Sequence, residues 1–207
     1  MSVSYLRLIV QGMAPVDTIP PHLNQTTAQG LTLNEPIAQY ELGSLRNLVY
    51  LIIDWEQKKA GIIDPQKNLE SILAALNEYQ ILLDCILLTH THFDHVAGLQ
   101  ELIQKNPQIP IHVHPHDAHR VQKKHSANWK WVQEGETLFI GSLPVHVMHT
   151  PGHSAGECCY YVEKTNLHPP YLFTGDTLFI RDCGRTDLET GSNEEMFHSL
   201  QRIKKLP

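Results

Sequence analysis

The chain has 207 residues, of which 42% are hydrophobic, and its net charge is −6. This apolar content suffices for one packed core, so a single domain over residues 1–207 is predicted. The acidic balance, with basic residues only in short pairs such as Lys123-Lys124, argues against nucleic acid or an anionic membrane as a partner. The first residues show no basic leader with an apolar stretch, and no apolar run approaches the ~18 residues of a membrane span. We therefore expect a cytoplasmic protein without a membrane partner.

The first half of the chain alternates strands and helices after an irregular start. A strand is predicted at 5–10, and residues 11–36 then lose all periodicity, which is typical of a lid or binding loop and equally of a surface insertion without function. The patterns that follow predict strands at 39–42, 49–53, 60–63, 85–88 and 111–114, and helices at 69–79 and 96–104.

The second half is richer in strands and ends in a helix. Trp129 and Trp131 fall in a predicted turn, and strands are expected at 137–140, 143–149, 158–162 and 171–173. A closing helix at 194–204 has Ser192 or Asn193 as its expected N-cap. Its predicted apolar face consists of Met196, Phe197, Leu200 and Ile203.

Cysteine and histidine patterns limit the kinds of metal site. Four cysteines occur without a Cys-x-x-Cys pair, which favours buried thiols over disulfides or a sulfur-ligated zinc. A histidine-rich run has no carboxylate at fixed spacing except Asp117, so imidazoles on a strand edge and an exposed helix are favoured over a metal site there. The histidines of this run are His112, His114, His116, His119 and His125.

The sequence Thr89-His90-Thr91-His92-Phe93-Asp94-His95 directly follows the apolar run 85–88. A buried strand would deliver these side chains to the carboxyl end of a sheet, where open α/β sheets bind their ligands. His90 and His92 are two residues apart and leave an extended segment on the same face, whereas Asp94 and His95 follow at the turn. One segment can therefore supply ligands to two adjacent metal ions.

This motif resembles that of the metallo-β-lactamase superfamily. The other ligand positions of that family are matched by His153, after Pro151-Gly152, and by Asp176, after Gly175. Within the superfamily, Gly175-Asp176-Thr177-Leu178-Phe179 followed by Cys183-Gly184-Arg185 is similar to the glyoxalase II and persulfide dioxygenase branch. The resemblance implies an α/β fold of four layers, the αβ/βα sandwich, with the metal cleft where two sheets meet.

The resemblance also implies which residues hold two divalent ions. His90, His92 and His153 would hold the first ion, Asp94 and His95 the second, and Asp176 would bridge them. Zinc is expected, and Fe²⁺ or Mn²⁺ suits the same ligands.

The family's second ion has one more His, from a turn beyond the last helix, and the chain reaches Pro207 before such a turn. We therefore expect a sequence cut short at its carboxyl end, with an incomplete second site. His198 is the only downstream candidate, and its place in the amphipathic helix favours a surface residue.

The implied reaction is hydrolysis of a thioester by a metal-bound hydroxide, as in hydroxyacylglutathione hydrolase. Asp94 would orient the hydroxide as the catalytic residue, and Asp64 either fixes a histidine tautomer or simply closes an Asp-Pro turn. Arg185 matches a position where the family binds the carboxylate of glutathione, so a small-molecule substrate such as a glutathione thioester is expected. Asp187, where that family has an aromatic residue, and the Gly-Arg-Thr-Asp sequence favour the alternative, a glutathione-persulfide dioxygenase with one Fe²⁺ held by His90, His153 and Asp176.

Overall fold

The structure is a computed structural model that describes residues 7–9, 31, 34–43, 46–122, 125–165 and 168–206. It contains two sheets, one of six strands and one of five. The strands are β1 Arg7–Ile9, β2 Ile37–Leu42, β3 Asn47–Asp54, β4 Lys59–Ile63, β5 Leu82–Leu87, β6 Pro110–Val113, β7 Asn128–Trp131, β8 Thr137–Ile140, β9 Leu143–His149, β10 Cys158–Val162 and β11 Tyr171–Phe173. The helices are α1 Glu70–Glu78, α2 Leu99–Lys105, α3 Pro115–Gln122 and α4 Asn193–Ile203. Most of the segment 11–36 lies outside the described residues.

Chain connectivity explains the order of the strands. The six-stranded sheet runs β2-β3-β4-β5-β6-β7, with an antiparallel meander at one edge and parallel strands from β4 onward. The parallel pairs are separated by helices, as parallel strands require a crossover. The five-stranded sheet has the order β1-β11-β10-β9-β8, in which β1 pairs with β11 in parallel.

Three separate apolar clusters lie between successive layers of the fold, so the fold has four layers. The middle cluster lies between the sheets and includes Tyr50 and Ile52 from β3 with Tyr160 and Phe173 from the other sheet. A second cluster packs the three helices α1 to α3 on the outer face of the six-stranded sheet. In a third cluster, Ile203 of α4 packs with the outer face of the five-stranded sheet. The predicted αβ/βα sandwich is therefore confirmed.

Three local predictions were wrong in informative ways. Trp129 and Trp131 lie in β7, which pairs with β6 in parallel, and this long-range pairing has no signal in the local pattern. Helix α2 begins at Leu99, since the backbone N–H of Gly98 donates to the carbonyl of Pro65 at 2.8 Å. In α4, Phe197 is exposed.

The buried face of α4 includes a polar residue instead. It is formed by Met196, Ser199 and Ile203, and the hydroxyl of Ser199 donates to the carbonyl of Pro151 at 2.7 Å. This bond ties the helix to the turn ahead of His153. The side chain of Ser192 accepts from the N–H of Glu195 and caps the helix, as predicted.

One hydrogen bond joins the two sheets beside the predicted metal loop. Tyr160 of β10 is fully buried, and its hydroxyl donates to the carbonyl of Leu88 at 2.8 Å, directly after β5. Replacing Tyr160 with Phe would keep the ring and leave that buried carbonyl without its donor. A buried acceptor without a partner costs about 1–3 kcal/mol.

We therefore expect Tyr160→Phe to lower the free energy of unfolding by about 1–2 kcal/mol, measured by urea denaturation. Tyr161→Phe is the matched control, because Tyr161 is the next residue and packs toward α4 at the outer face of the sheet. Equal stabilities of the two variants would contradict a role for the Tyr160 hydroxyl.

Candidate metal centre

Hydrogen bonds from both sheets fix the first residue of the loop 89–95. At the end of β4, the carboxylate of Asp64 accepts the backbone N–H of Thr89 at 2.8 Å and its hydroxyl at 2.6 Å. From the other sheet, the N–H of Cys158 donates to the carbonyl of Thr89 at 2.8 Å. The loop therefore leaves β5 at the seam between the two sheets with a fixed direction.

Three imidazoles converge at this seam. The rings of His90, His92 and His153 lie with centroids 4.6–5.0 Å apart and planes 85–88° from one another. Nδ1 of His92 is 2.8 Å from Nε2 of His153, and one nitrogen from each of the three rings lies within 4.8 Å of the others. This is an arrangement in which three lone pairs can meet at one ion.

Hydrogen bonds determine which nitrogen each ring presents. Nδ1 of His153 donates to the backbone carbonyl of Arg185 at 2.7 Å, which leaves its Nε2 free to bind. Nδ1 of His90 donates to the hydroxyl oxygen of Thr89 at 3.1 Å, since that hydroxyl gives its own proton to Asp64. A carboxylate oxygen of Glu157 also lies 3.3 Å from this nitrogen. Nε2 of His90 is buried and has no hydrogen-bond partner among the described residues. A buried polar atom without a partner is costly, and a metal ion would satisfy it.

A second possible ligand group shares His90 with the first. It consists of His90, His95 and Asp176. Nδ1 of His95 is 3.0 Å from the carboxylate of Asp64, so Nε2 faces the group, 3.4 Å from Asp176 and 3.8 Å from Asp94. Asp64 therefore has the position of a tautomer-fixing carboxylate.

Asp176 lies between the two groups. One of its oxygens is 3.3 Å from Nε2 of His153 and the other is 3.4 Å from Nε2 of His95. This is the position that a bridging carboxylate needs. The preceding Gly175 has φ of +48°, and a side chain there would collide with Glu157 and Thr89.

Asp94 faces the same region from the turn of the loop. Its carboxylate accepts from Nδ2 of Asn47 at 3.0 Å, and its backbone carbonyl accepts from Asn47 and from Gln66. Two amide side chains outside the motif therefore set the orientation of this residue.

Burial and neighbouring charge give the histidines different protonation preferences. Burial lowers the pKa of His90 well below its usual value and also lowers that of His92, so both rings are neutral at neutral pH and could act as ligands. Burial also opposes charge on His95, but Asp176 and Asp64 outweigh it and raise the pKa of His95 well above its usual value. The second group thus attracts positive charge, which suits a divalent cation.

Glu157 is a functional candidate that the sequence analysis missed. Its side chain is fully buried, one oxygen accepts the backbone N–H of Asp176 at 2.9 Å, and the other lies near His90. Burial, and next the charge of Asp176, raise its pKa well above the usual value. A carboxylate directly ahead of the apolar strand at 158–162 was the available signal.

The centre opens into a cleft of about 620 Å³. Phe93 and Leu188 add apolar surface there, and Arg120 and Arg185 add positive charge. The guanidinium of Arg185 is exposed at the rim and forms two hydrogen bonds of 2.7 Å with Asp187.

His198 is exposed on α4, in agreement with the surface position expected for it. It belongs to none of the possible ligand groups found among the described residues.

Comparison with known proteins agrees with this architecture. The family model of the metallo-beta-lactamase superfamily matches residues 54–207. The chain is 36% identical over 158 residues to the probable polyketide biosynthesis zinc-dependent hydrolase BaeB of Bacillus velezensis, covering 76% of this chain and 67% of that protein. The chain therefore belongs to the metallo-β-lactamase superfamily.

Two solved structures extend this result. The BLEG-1 B3 metallo-beta-lactamase superposes with a TM-score of 0.72 at 31% identity, over 83% of this chain and 87% of that one. TTHA1623 in a di-iron-bound form gives 0.68 at 31% identity, over 82% and 86%. The chain is a hydrolase-like enzyme of this superfamily, whose members hold zinc or iron.

None of the helices in the described parts of the chain is long and apolar enough to cross a membrane.

The contact between Asp64 and His95 makes a prediction for metal affinity. Asn can occupy the φ of +50° found at position 64, so Asp64→Asn removes the charge with little backbone strain. Carboxylates that hold a ligating histidine commonly contribute 10–100-fold to metal affinity. We expect a loss of about that size for the ion that His95 would hold, measured by titration with Zn²⁺.

Asp54→Asn is the matched control. Asp54 is also buried, and it accepts the backbone N–H and hydroxyl of Ser142, both at 2.7 Å, away from the centre. This variant should lose stability and keep its metal affinity. An Asp64→Asn protein with wild-type affinity for every ion would refute the role of Asp64.

Proposed function

We propose that this chain hydrolyses thioesters at a centre of two divalent metal ions, with zinc as the expected metal. The observation that carries the proposal is the position of Asp176, whose two carboxylate oxygens face the nitrogens of His153 and His95 at 3.3 and 3.4 Å. A carboxylate shared in this way suits two adjacent ions and is not needed for a single one.

The described residues suit two metal ions that are borderline between hard and soft. His90, His92 and His153 would hold the first ion through neutral nitrogens, and Asp94 and His95 would hold the second. Asp176 would contact both. When bound, such ions lower the pKa of water and polarise a carbonyl group.

Asp94 has the geometry of an orienting residue for the attacking water. Its carboxylate points toward the second ligand group, 3.8 Å from Nε2 of His95, and Asn47 holds it there. Asp64 supports the ligands from behind, because it contacts Nδ1 of His95 directly and accepts from the Thr89 hydroxyl that faces Nδ1 of His90. Asp64 is buried, so little solvent screens its charge.

The cleft supports a thioester substrate with an anionic part. A thiolate leaves without a strong general acid, because thiols have a pKa of about 8.5. Arg185 at the rim would pair with a carboxylate, such as one in the peptide part of a glutathione thioester. Phe93 lies in the same cleft, is 75% exposed, and offers an apolar surface to an acyl group.

The second candidate is a persulfide dioxygenase with one Fe²⁺ held by His90, His153 and Asp176. The Gly184-Arg185-Thr186-Asp187 sequence favours it, and two hydrogen bonds of 2.7 Å join the side chains of Arg185 and Asp187. Iron by itself does not distinguish the two functions, since the similar TTHA1623 structure contains two iron ions.

Metal stoichiometry and activity together separate the candidates. We expect about two metal ions per chain, either zinc alone or a mixture of metals. We also expect hydrolysis of a glutathione thioester, measured by the thiol that it releases, and no oxygen uptake with glutathione persulfide. Asp94→Asn should reduce kcat by about 10²–10⁴-fold, the range for a positioned acid or base. If protein with one iron ion per chain takes up oxygen, the hydrolase proposal is wrong and the dioxygenase is the better assignment.

Arg185 gives a separate prediction about the substrate. Arg185→Ala should raise KM for an anionic thioester about tenfold and change kcat little, because such a residue binds substrate and transition state equally. Asp187→Asn frees the guanidinium and should lower KM for the same substrate. A neutral aryl thioester is the control and should respond to neither change. Identical KM values in all three proteins would exclude Arg185 from substrate binding.

A further inference from the structure

A second group of three histidines lies outside the metal centre. His114 directly follows β6, His116 is in the first turn of α3, and His149 is the last residue of β9. One nitrogen from each ring lies within 4.8 Å of the other two. Two of these residues belong to the histidine-rich run of the sequence, and the third comes from the other sheet.

The three rings are held in different ways. His114 is 8% exposed and stacks on His149, with centroids 4.0 Å apart and an angle of 8° between the planes. His116 is exposed, and its ring is nearly perpendicular to that of His114 at 4.9 Å. The group therefore has two packed members and one that faces solvent.

One backbone carbonyl group accepts hydrogen bonds from two of the rings and so orients them. The oxygen of Ala155 accepts from Nε2 of His149 at 2.9 Å and from Nδ1 of His116 at 3.3 Å. A neutral imidazole that donates through one nitrogen keeps a lone pair on the other. Histidine ligands of metals commonly make this contact to a backbone carbonyl.

The carboxylates nearest the group among the described residues are bound to other donors. Glu134 accepts the backbone N–H of His149 at 2.7 Å. Asp117, beside His116, is buried and accepts from the hydroxyl of Ser154 at 2.7 Å and the N–H of Gly156 at 2.9 Å. The N–H of His116 donates to Nδ1 of His114 over 3.4 Å, a weak contact that an ion could replace. Burial, and next the charge of His149, lower the pKa of His114 to about 4, so this ring is neutral at pH 7.

We propose that His114, His116 and His149 form a peripheral transition-metal site, separate from the metal centre, that takes Zn²⁺ or Cu²⁺. Three imidazole ligands suit these borderline ions, with Cu²⁺ the stronger binder, and do not suit Mg²⁺ or Ca²⁺. An ion here would join α3 to the end of β9, just ahead of the turn that carries His153.

The geometry also sets the relative affinity. The lone pairs of two stacked rings lie in parallel planes, so one ring must turn before both can face one ion. A site of imidazole ligands without a carboxylate also lacks the charge attraction available at Asp94 and Asp176. Binding is therefore expected to be weaker than at the metal centre.

The test is a zinc titration of the full chain, with bound metal counted after equilibrium dialysis at rising free Zn²⁺. We expect wild-type protein to bind one weaker ion after the metal centre is filled. His116→Ala should lose this ion, or bind it at least about tenfold more weakly, and keep the tight ions. Because His116 is exposed, this change is not expected to disturb folding.

His119→Ala is the matched control, since His119 is also exposed and lies one turn further along α3. It should retain the weaker ion. In zinc-loaded protein, added Cu²⁺ should give an electron paramagnetic resonance spectrum with nitrogen couplings that His116→Ala abolishes and His119→Ala keeps. Wild-type, His116→Ala and His119→Ala proteins with the same number and affinity of ions would overturn the proposal, and neither result depends on thioester hydrolysis.

Discussion

The buried carboxylate of Asp64 is the constraint on which the centre depends. It accepts two hydrogen bonds from Thr89 and lies 3.0 Å from His95, so one side chain holds the start and the end of the motif. A carboxylate withdrawn from water at 2% exposure is tolerated only when donors surround it. The loop between Thr89 and His95 supplies these donors, and it is thereby held in a single conformation.

Glu157 has a comparable role from the other sheet. It lies beside His90 and accepts the N–H of Asp176, so it links ligand candidates that are far apart in the sequence. Each sheet thus contributes one buried carboxylate behind the metal centre. Burial disfavours charge on Glu157, and a cation bound beside it would offset that cost, which couples the local order of the site to metal binding.

Arg185 has two separate structural roles, one through its main chain and one through its side chain. Its backbone carbonyl orients His153, whereas its side chain points to the rim and pairs with Asp187. One residue thus contributes to the centre through its main chain and to the cleft through its side chain. A substitution at this position tests mainly the second of these, because the carbonyl is present in every residue type.

The sequence alone predicted an α/β chain and the histidine-rich metal motif, because strand and helix periods and the spacing within the motif are local properties. Its resemblance to the superfamily added the four layers and the expected partners His153 and Asp176. Only the tertiary structure placed Glu157 and Asn47 behind the candidate ligands, brought His149 to His114 and His116, and showed Trp129 and Trp131 in a strand. These features depend on contacts between residues distant in the chain, and no local pattern records which strand or turn will lie opposite another. Phe197 shows the same limit: helical spacing predicts an apolar face, but the packing of Ser199 against Pro151 decides which side of α4 is buried.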